Sequence, residues 1–158
     1  MNTLIVYAGK YGTTQSCVEK LAQQLKGPHG IVDLKKPTTY DLSDFDRVII
    51  GGSVYIGTIQ KEVTEFCNTH LDVLLNKQVG LFMCGMQQPE EIEKELNTVF
   101  PEALRKHALV TSWFGGAFII EKMNFLEKTI VKKIAKTKSS VTDIKEDHIQ
   151  SFAETMNR

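Results

Sequence analysis

Short apolar runs alternate with amphipathic stretches along the chain. Residues 48–50 are apolar at consecutive positions, as in strands that are buried on both faces of a parallel sheet. In the stretches between such runs, apolar side chains recur every three or four residues, which predicts helices. The pattern predicts five strands, at residues 3–7, 31–34, 47–52, 78–84 and 109–114. It also predicts five helices, at residues 13–26, 62–75, 89–100, 124–136 and 145–156.

The alternation of strand and helix is typical of consecutive βαβ units. We therefore expect an α/β fold with a parallel sheet and helices on both faces. No linker or repeat divides the sequence, so residues 1–158 are expected to form a single domain. Ligands of such sheets bind at the carboxyl ends of the strands. Candidate chemistry is therefore sought in the loop that follows each strand.

Charge and cysteine content exclude several classes of protein. The 158 residues include 19 basic and 19 acidic side chains, so the net charge is zero, and a strongly basic nucleic-acid-binding protein is excluded. The three cysteines lie far apart without a C-x-x-C motif, which predicts free thiols and no metal site. The N-terminus lacks a signal-peptide pattern and no apolar run is long enough to span a membrane, so we expect a cytoplasmic protein.

The loop after the first predicted strand combines glycine, hydroxyl and basic residues at the start of a helix. Backbone N–H groups of such a turn, together with the helix N-terminus, favour an anion such as phosphate. The loop contains neither a Walker motif nor G-x-G-x-x-G. A glycine-rich turn capped by Thr13 is an equally good interpretation of this segment alone. The candidate phosphate-binding residues are Gly9, Lys10, Tyr11, Gly12, Thr13 and Thr14.

Two further loops could line a flat ligand. After the third strand, Gly51, Gly52 and Gly57 would allow the backbone to approach such a ligand closely. The alternative is that the apolar and aromatic residues of this loop only cap the core. The candidate ring-lining residues are Ser53, Val54, Tyr55, Ile56 and Gly57 after the third strand, and Gly85, Met86 and Gln87 after the fourth.

These loops, taken together, resemble a flavodoxin-like FMN domain. The resemblance rests on residues 4–7, on the Gly9-x-x-Gly12-Thr13-Thr14 loop and on residues 45–53, and it covers essentially the whole chain. It is closest to the branch that contains the menaquinone-dependent protoporphyrinogen oxidases, which also carry a Gly-Ser-Val-Tyr-like loop and a Gly-Gly pair after the fifth strand.

The resemblance implies a fold, a cofactor and binding roles. The implied fold is a three-layer sandwich, with a five-stranded parallel sheet in the order 2-1-3-4-5 and helices on both faces. FMN is the implied cofactor, with its phosphate held by residues 9–14 and its ring lined by residues 53–57 and 85–87. No catalytic residue is indicated.

The leading functional hypothesis is an FMN-binding protein that acts in electron transfer or as a flavin-dependent oxidoreductase. Its partners would be a redox protein or a small molecule such as a porphyrin or a quinone. One alternative is a protoporphyrinogen oxidase-like enzyme that passes electrons to a quinone, and another is a cofactor-free binding module. A response-regulator-like module is excluded because Ala8-Gly9 and Gly51-Gly52 stand where it needs acidic residues. A hydrolase lacks support because there is no G-x-S-x-G motif.

Charge distribution bears on the choice between these hypotheses. Flavodoxin carriers are typically strongly acidic, and a chain with zero net charge lacks the field that steers them to basic partners. The zero net charge therefore argues against a general electron carrier and favours an oxidoreductase with a specific partner. Residues 122–138 form a basic amphipathic segment. We favour its packing against the sheet, and peripheral contact with a membrane surface is the alternative.

Overall fold

The computed structural model describes residues 1–118 and 141–158. The strands are β1 (Thr3–Ala8), β2 (His29–Asp33), β3 (Arg47–Tyr55), β4 (Thr58–Ile59), β5 (Gln78–Cys84), β6 (Val110–Trp113), β7 (Gly115–Phe118) and β8 (Val141–Ile144). The α-helices are α1 (Thr13–Ala22), α2 (Lys61–Thr69), α3 (Leu71–Leu74), α4 (Pro89–Leu96), α5 (Glu102–His107) and α6 (Glu146–Met156).

Five parallel strands form the main sheet in the spatial order β2-β1-β3-β5-β6. These are the five predicted strands in the predicted order, so the predicted sheet is confirmed. The additional strand β4 pairs with β3 in an antiparallel hairpin. Ala8 of β1 lies level with Gly52 of β3, which lies level with Met83 of β5. The loops after these three strands therefore start side by side at one edge of the sheet.

Alternate residues of the central strands point into two separate cores. Val6 and Ile50 pack with α2, α3, α4 and α5 on one face, whereas Ile5 and Ile49 pack with α1 and α6 on the other. All four side chains are fully buried. This explains why the strands are apolar at consecutive positions, since each position of a central strand faces one of the two cores. The predicted three-layer arrangement is confirmed.

Three predicted helices are shorter than expected. The helix predicted over residues 13–26 ends at Ala22, because the N–H groups of Gln24 and Leu25 bond three residues back instead of four. The helix predicted over 62–75 is broken at His70, which has φ −108° and ψ 15°. The helix predicted over 89–100 ends at Leu96. The apolar periodicity continues through each of these breaks, so it could not reveal them.

Several short elements were not predicted. Helix α5 begins after Pro101 and buries Leu104, while the Arg105 side chain donates to the carbonyl of Phe100 at 3.1 Å. Strands β7 and β8 pair antiparallel, with Gly115 opposite Ile144, and they lie on either side of residues 119–140. The predicted helix 124–136 and the basic segment 122–138 fall outside the described residues. No helix in the described part of the chain is long and apolar enough to cross a membrane.

Candidate functional site

The loop between β1 and α1 presents an uncapped helix N-terminus. Tyr11 and Gly12 both have positive φ, 63° and 84°, so the chain turns sharply just before the first helical residue. Gly12 is the N-cap and offers no side-chain hydrogen bond, and no acidic residue lies in the first turn of α1. The structure thus differs from the interpretation that Thr13 caps the helix. Within the cap and first turn of α1, no side chain therefore offsets the partial positive charge of this helix end.

Beneath this loop, the Thr14 side chain is fully buried. Its hydroxyl makes no hydrogen bond to an oxygen or nitrogen atom among the described residues. A Cβ on Gly9 would lie 2.6 Å from the Thr14 Cβ and 2.8 Å from its Oγ1. Glycine at position 9 is therefore what lets the loop fold closely over Thr14. A buried donor without a strong acceptor, next to backbone that approaches closely, is a feature expected of a ligand cradle.

Lys10 links this loop to the one after β3. Its Nζ lies 5.2 Å from the ring centroid of Tyr11 and 5.8 Å from that of Tyr55, within the range of cation–π attraction. The cation thus lies between two aromatic rings that belong to two different predicted site loops. The structure places residues 9–14 and Tyr55 together at the carboxyl edge of the sheet.

The loop after β3 is a hairpin with a two-residue turn. Val54 pairs with Ile59 and Tyr55 with Thr58, and the two turn residues, Ile56 and Gly57, have φ 49° and 74°. Two successive positive φ values are those of a type I′ turn. At the turn, the Ile56 side chain is 63% exposed, and at its base the Ser53 hydroxyl accepts from Gln60 Nε2 at 3.0 Å. The hairpin therefore projects an apolar residue beyond the sheet edge.

Gly51 and Gly52, in the middle of β3, make room for core side chains. A Cβ on Gly51 would overlap the Phe82 ring at 2.1 Å, and one on Gly52 would lie 2.9 Å from the side chain of Val63. The expectation that both positions give a ligand close access to the backbone is corrected here, because core side chains occupy that space. Gly57, by contrast, has open space around it, since a Cβ at this position would meet no atom within 4 Å.

A glutamine in the loop after β5 hydrogen-bonds this loop to β3 and β6. Gln87 Nε2 donates to the carbonyl oxygen of Val54 at 3.3 Å, and Gln87 Oε1 accepts from Trp113 Nε1 at 2.9 Å. The same indole N–H also lies 2.9 Å from the carbonyl oxygen of Gly85. Met86 between them is half-buried. The predicted ring-lining residues of two loops are thus joined to each other and to the end of β6.

Sequence reasoning missed Glu95, the acidic residue that lies under this loop. Glu95 is 8% exposed. Burial, followed by the negative charge of Glu91, raises its pKa, while a hydrogen bond with Gln87 and the charge of Lys94 oppose that shift. A signal was present in the sequence: Glu95 interrupts the apolar stripe that includes Ile92, Leu96 and Val99, all of which pack on the core.

Two thiols are buried between α1 and the sheet. Cys17 of α1 and Cys84 at the end of β5 are both buried. Hydrogen bonding with Cys17 and burial together raise the pKa of Cys84, and the Thr14 hydroxyl partly counters the effect. Among the described residues, no cluster of histidine, cysteine and carboxylate side chains could hold a metal ion.

The site fits a ligand that has an anionic end and a flat, weakly polar part. The uncapped end of α1, the buried Thr14 hydroxyl and the Lys10 cation suit a phosphate. Tyr55, Ile56 and Met86 offer aromatic and apolar surface beside it. FMN has both chemical parts, so residues 9–14 could hold its phosphate while residues 53–57 and 85–87 line its ring. When bound, FMN would supply the electron-accepting chemistry that the protein side chains lack.

The chain belongs to the flavodoxin-domain family, whose profile matches residues 4–145. Two solved structures share its fold. One is a short-chain flavodoxin associated with a bacterial microcompartment, which is 14% identical, with a TM-score of 0.64 and coverage of 98% of this chain and 95% of that one. The other is oxidised flavodoxin 1 from Bacillus cereus, which is 13% identical, with a TM-score of 0.57 and coverage of 99% and 97%.

Curated relatives are named protoporphyrinogen IX dehydrogenase (quinone). The Leishmania major protein is 24% identical over 151 aligned positions, which cover 89% of this chain and 64% of that protein. The Escherichia coli K12 protein is 21% identical over 159 aligned positions, which cover 93% of this chain and 86% of that protein. The chain thus spans just under two thirds of the length of the Leishmania relative. The predicted resemblance to this branch is confirmed at the level of sequence similarity.

Proposed function

We propose that this protein binds FMN and acts in electron transfer or as a flavin-dependent oxidoreductase. The observation that carries the proposal is the arrangement of residues 9–14, where an uncapped helix end, a buried threonine hydroxyl and a lysine meet at the carboxyl edge of a flavodoxin sheet. The helix end and the lysine both favour an anion. A phosphate there would gain hydrogen bonds from the backbone N–H groups of the α1 N-terminus, where the N-cap Gly12 has no side chain to occupy them.

The neighbouring loops support the remainder of the ligand. The hairpin after β3 and the loop after β5 begin on adjacent strands, in register at Ser53 and Cys84. Their exposed and half-buried side chains include Tyr55, Ile56 and Met86. A flat ring bordered by such side chains is shielded from water on its faces, which would favour the less charged forms of the flavin and so tune its potential.

Reconstitution with FMN tests the proposal directly. Titration of the apoprotein at micromolar concentration should quench the fluorescence of FMN and give a bound flavin spectrum. Gly12→Asp should abolish uptake because it sets a carboxylate against the phosphate, at a position where a Cβ has open space. Gly12→Asn is the matched control, since asparagine has nearly the same shape and also tolerates positive φ. Equal binding by both variants would show that the phosphate lies elsewhere.

A second candidate function is the oxidation of a porphyrinogen with a quinone as acceptor. Its support is the shared name of the curated relatives. Protein loaded with FMN should convert protoporphyrinogen IX to the fluorescent porphyrin under anaerobic conditions only when a quinone is added. Gly12→Asp protein should lack this activity. An FMN-loaded protein that leaves the porphyrinogen unchanged in the presence of quinone would restrict the function to other electron-transfer chemistry.

A further inference from the structure

We propose that Gln87 is a positioning residue whose side-chain amide sets the spacing between the two candidate ring-lining loops, which follow β3 and β5. The ligand between these loops is that of the proposed function, on which this inference therefore rests. The hydrogen bonds that fix the spacing, however, are formed by the protein without ligand. Because the protein itself engages the amide of Gln87, other groups of the two loops would border the ring.

The two loops leave adjacent strands at the same level. Ser53 of β3 lies opposite Cys84, the last residue of β5. Beyond this pair, β3 continues into the hairpin with β4, where Val54 pairs with Ile59, whereas the chain after Cys84 forms the other loop. The ladder between β3 and β5 thus ends where the loops begin. A side chain that bridges them can fix a spacing that the ladder no longer controls.

Gln87 forms such a bridge with both ends of its amide. Its Nε2 donates to the carbonyl oxygen of Val54 at 3.3 Å, and its Oε1 accepts from Trp113 Nε1 at 2.9 Å. The same indole N–H also lies 2.9 Å from the carbonyl oxygen of Gly85. An amide can make both bonds because it carries a donor and an acceptor on one planar group. It thereby connects β3, β6 and the loop after β5.

Trp113 is a firm anchor for this bridge because α6 and the residue before it contact the other parts of the tryptophan. The carbonyl oxygen of Trp113 accepts from His148 Nδ1 at 2.7 Å, and the two rings meet edge-on at a centroid distance of 6.1 Å. The Nζ of Lys145 lies 5.6 Å from the centroid of the indole ring, within the range of cation–π attraction. Gln87 therefore bonds to a side chain that is itself held in place.

Gly85 determines the direction of the amide. A Cβ at position 85 would lie 2.3 Å from Gln87 Nε2 and 2.6 Å from its Oε1, so the glutamine side chain folds back over the α-carbon of Gly85. The backbone at this point is tied as well, since the Gly85 N–H donates to the carbonyl oxygen of Gly115 at 2.8 Å. A methyl group added at position 85 would therefore displace the amide and break the bridge.

The emission of Trp113, the single tryptophan, reports the bridge in the apoprotein. Gln87→Leu removes one of the two acceptors of the indole N–H, so it should shift the emission wavelength. Gln88→Leu is the matched control, because Gln88 is exposed and its side chain makes no cap hydrogen bond with α4. Its emission should equal that of the wild type.

Binding of two flavins tests whether the bridge acts on the ring. Riboflavin carries the same ring as FMN without the phosphate. Gln87→Leu should weaken binding of both flavins by the same factor, about tenfold, as expected for the loss of one hydrogen-bonded bridge. The ratio of the two dissociation constants should then stay within about twofold of the wild-type ratio. Gly12→Asp should change this ratio strongly, because it acts on the phosphate alone.

Gly85→Ala tests the same bridge without changing Gln87. Gly85 does not have positive φ, so the added methyl group acts through the contact with the amide. The variant should reproduce both effects of Gln87→Leu. In a Gln87→Ala protein the methyl group has room, and Gly85→Ala should then weaken flavin binding less than about twofold further. This pair of variants also guards against a Gln87→Leu protein that fails to fold.

The outcomes separate the positioning role from the proposed function. Gln87→Leu and Gly85→Ala proteins that match the wild type in emission and flavin affinity would overturn the positioning role. So would a loss of FMN affinity without a loss of riboflavin affinity, because Gln87 would then act on the phosphate. A wild-type protein that binds neither flavin would overturn the proposed function, while the Trp113 emission of the apoprotein would still decide whether the bridge exists.

Discussion

The phenyl ring of Phe82 covers the α-carbon of Gly51 on the neighbouring strand. A Cβ at Gly51 would lie 2.1 to 2.3 Å from three atoms of this ring. The same ring stacks on Phe114 at a centroid distance of 4.7 Å and meets Phe152 edge-on at 6.2 Å. Glycine in the middle of β3 thus leaves room for an aromatic cluster in the core between the sheet, α1 and α6.

We therefore expect Gly51→Ala to destabilise the protein by about 1–3 kcal/mol, the usual cost of overpacking a core. Chemical denaturation would measure the change in the free energy of unfolding. The double variant Gly51→Ala/Phe82→Leu should lose less than the sum of the two single variants, because leucine leaves room for the added methyl group. Strict additivity would contradict direct contact as the cause.

The turn of the β3–β4 hairpin holds a β-branched residue in the left-handed region. Ile56 has φ 49° and its side chain is mostly exposed, so its conformation costs about 1–2 kcal/mol with little burial to offset it. Ile56→Asn should raise the free energy of unfolding by roughly 1 kcal/mol, since Asn-Gly suits a type I′ turn. Ile56→Val, which remains β-branched, should bring no gain. Equal stability of all three proteins would mean that the turn strain is negligible.

Stability should depend on pH through Glu95. Because burial raises the pKa of Glu95 in the folded protein, the folded state binds more protons than the unfolded state at a pH between the two pKa values. The contribution of Glu95 to the free energy of unfolding is therefore fully present below the ordinary glutamate pKa. It is lost as the pH rises through the higher pKa that Glu95 has in the folded protein. Glu95→Gln should be more stable than the wild type at neutral pH, with the difference vanishing in acid. Thermal unfolding of both proteins over this pH range measures the difference in stability. A difference that does not change with pH would contradict the raised pKa of Glu95 as its cause.

The three cysteines should be unreactive in the native protein. Cys17, Cys67 and Cys84 are each at most 1% exposed, and burial raises the pKa of Cys67 to about 12. Hydrogen bonding with Cys84 lowers the pKa of Cys17, but a thiolate reacts only where a reagent can reach it. Because all three thiols are buried, a thiol reagent at pH 8 should label none of them until the protein unfolds. All three should react in denaturant. Rapid labelling of the native protein at any one site would reveal an opening that the static structure does not show.

The positions and the parallel direction of the main strands followed from short-range pattern, whereas their spatial order was implied by the resemblance to flavodoxin-like domains. Runs such as Val48–Ile50 are apolar at every position because each side chain faces one of two cores, and periodicity detects this directly. Helix ends were less predictable. The break at His70 and the end of α1 at Ala22 depend on hydrogen bonds that leave the apolar stripe unchanged. Short elements such as α5 and the β7–β8 ladder form only where tertiary neighbours supply the packing.

The sequence by itself determined the strands of the sheet and the family, because these depend on residue types at short spacings. It also predicted the loops in which a phosphate and a flat ring would bind. Only the tertiary structure decided what individual residues in those loops do. Gly51 and Gly85 make room for Phe82 and Gln87. The amide of Gln87 turns inward to Val54 and Trp113, which are far away in sequence. Contacts between distant segments arise from the packing of whole strands and helices, so no local pattern encodes them.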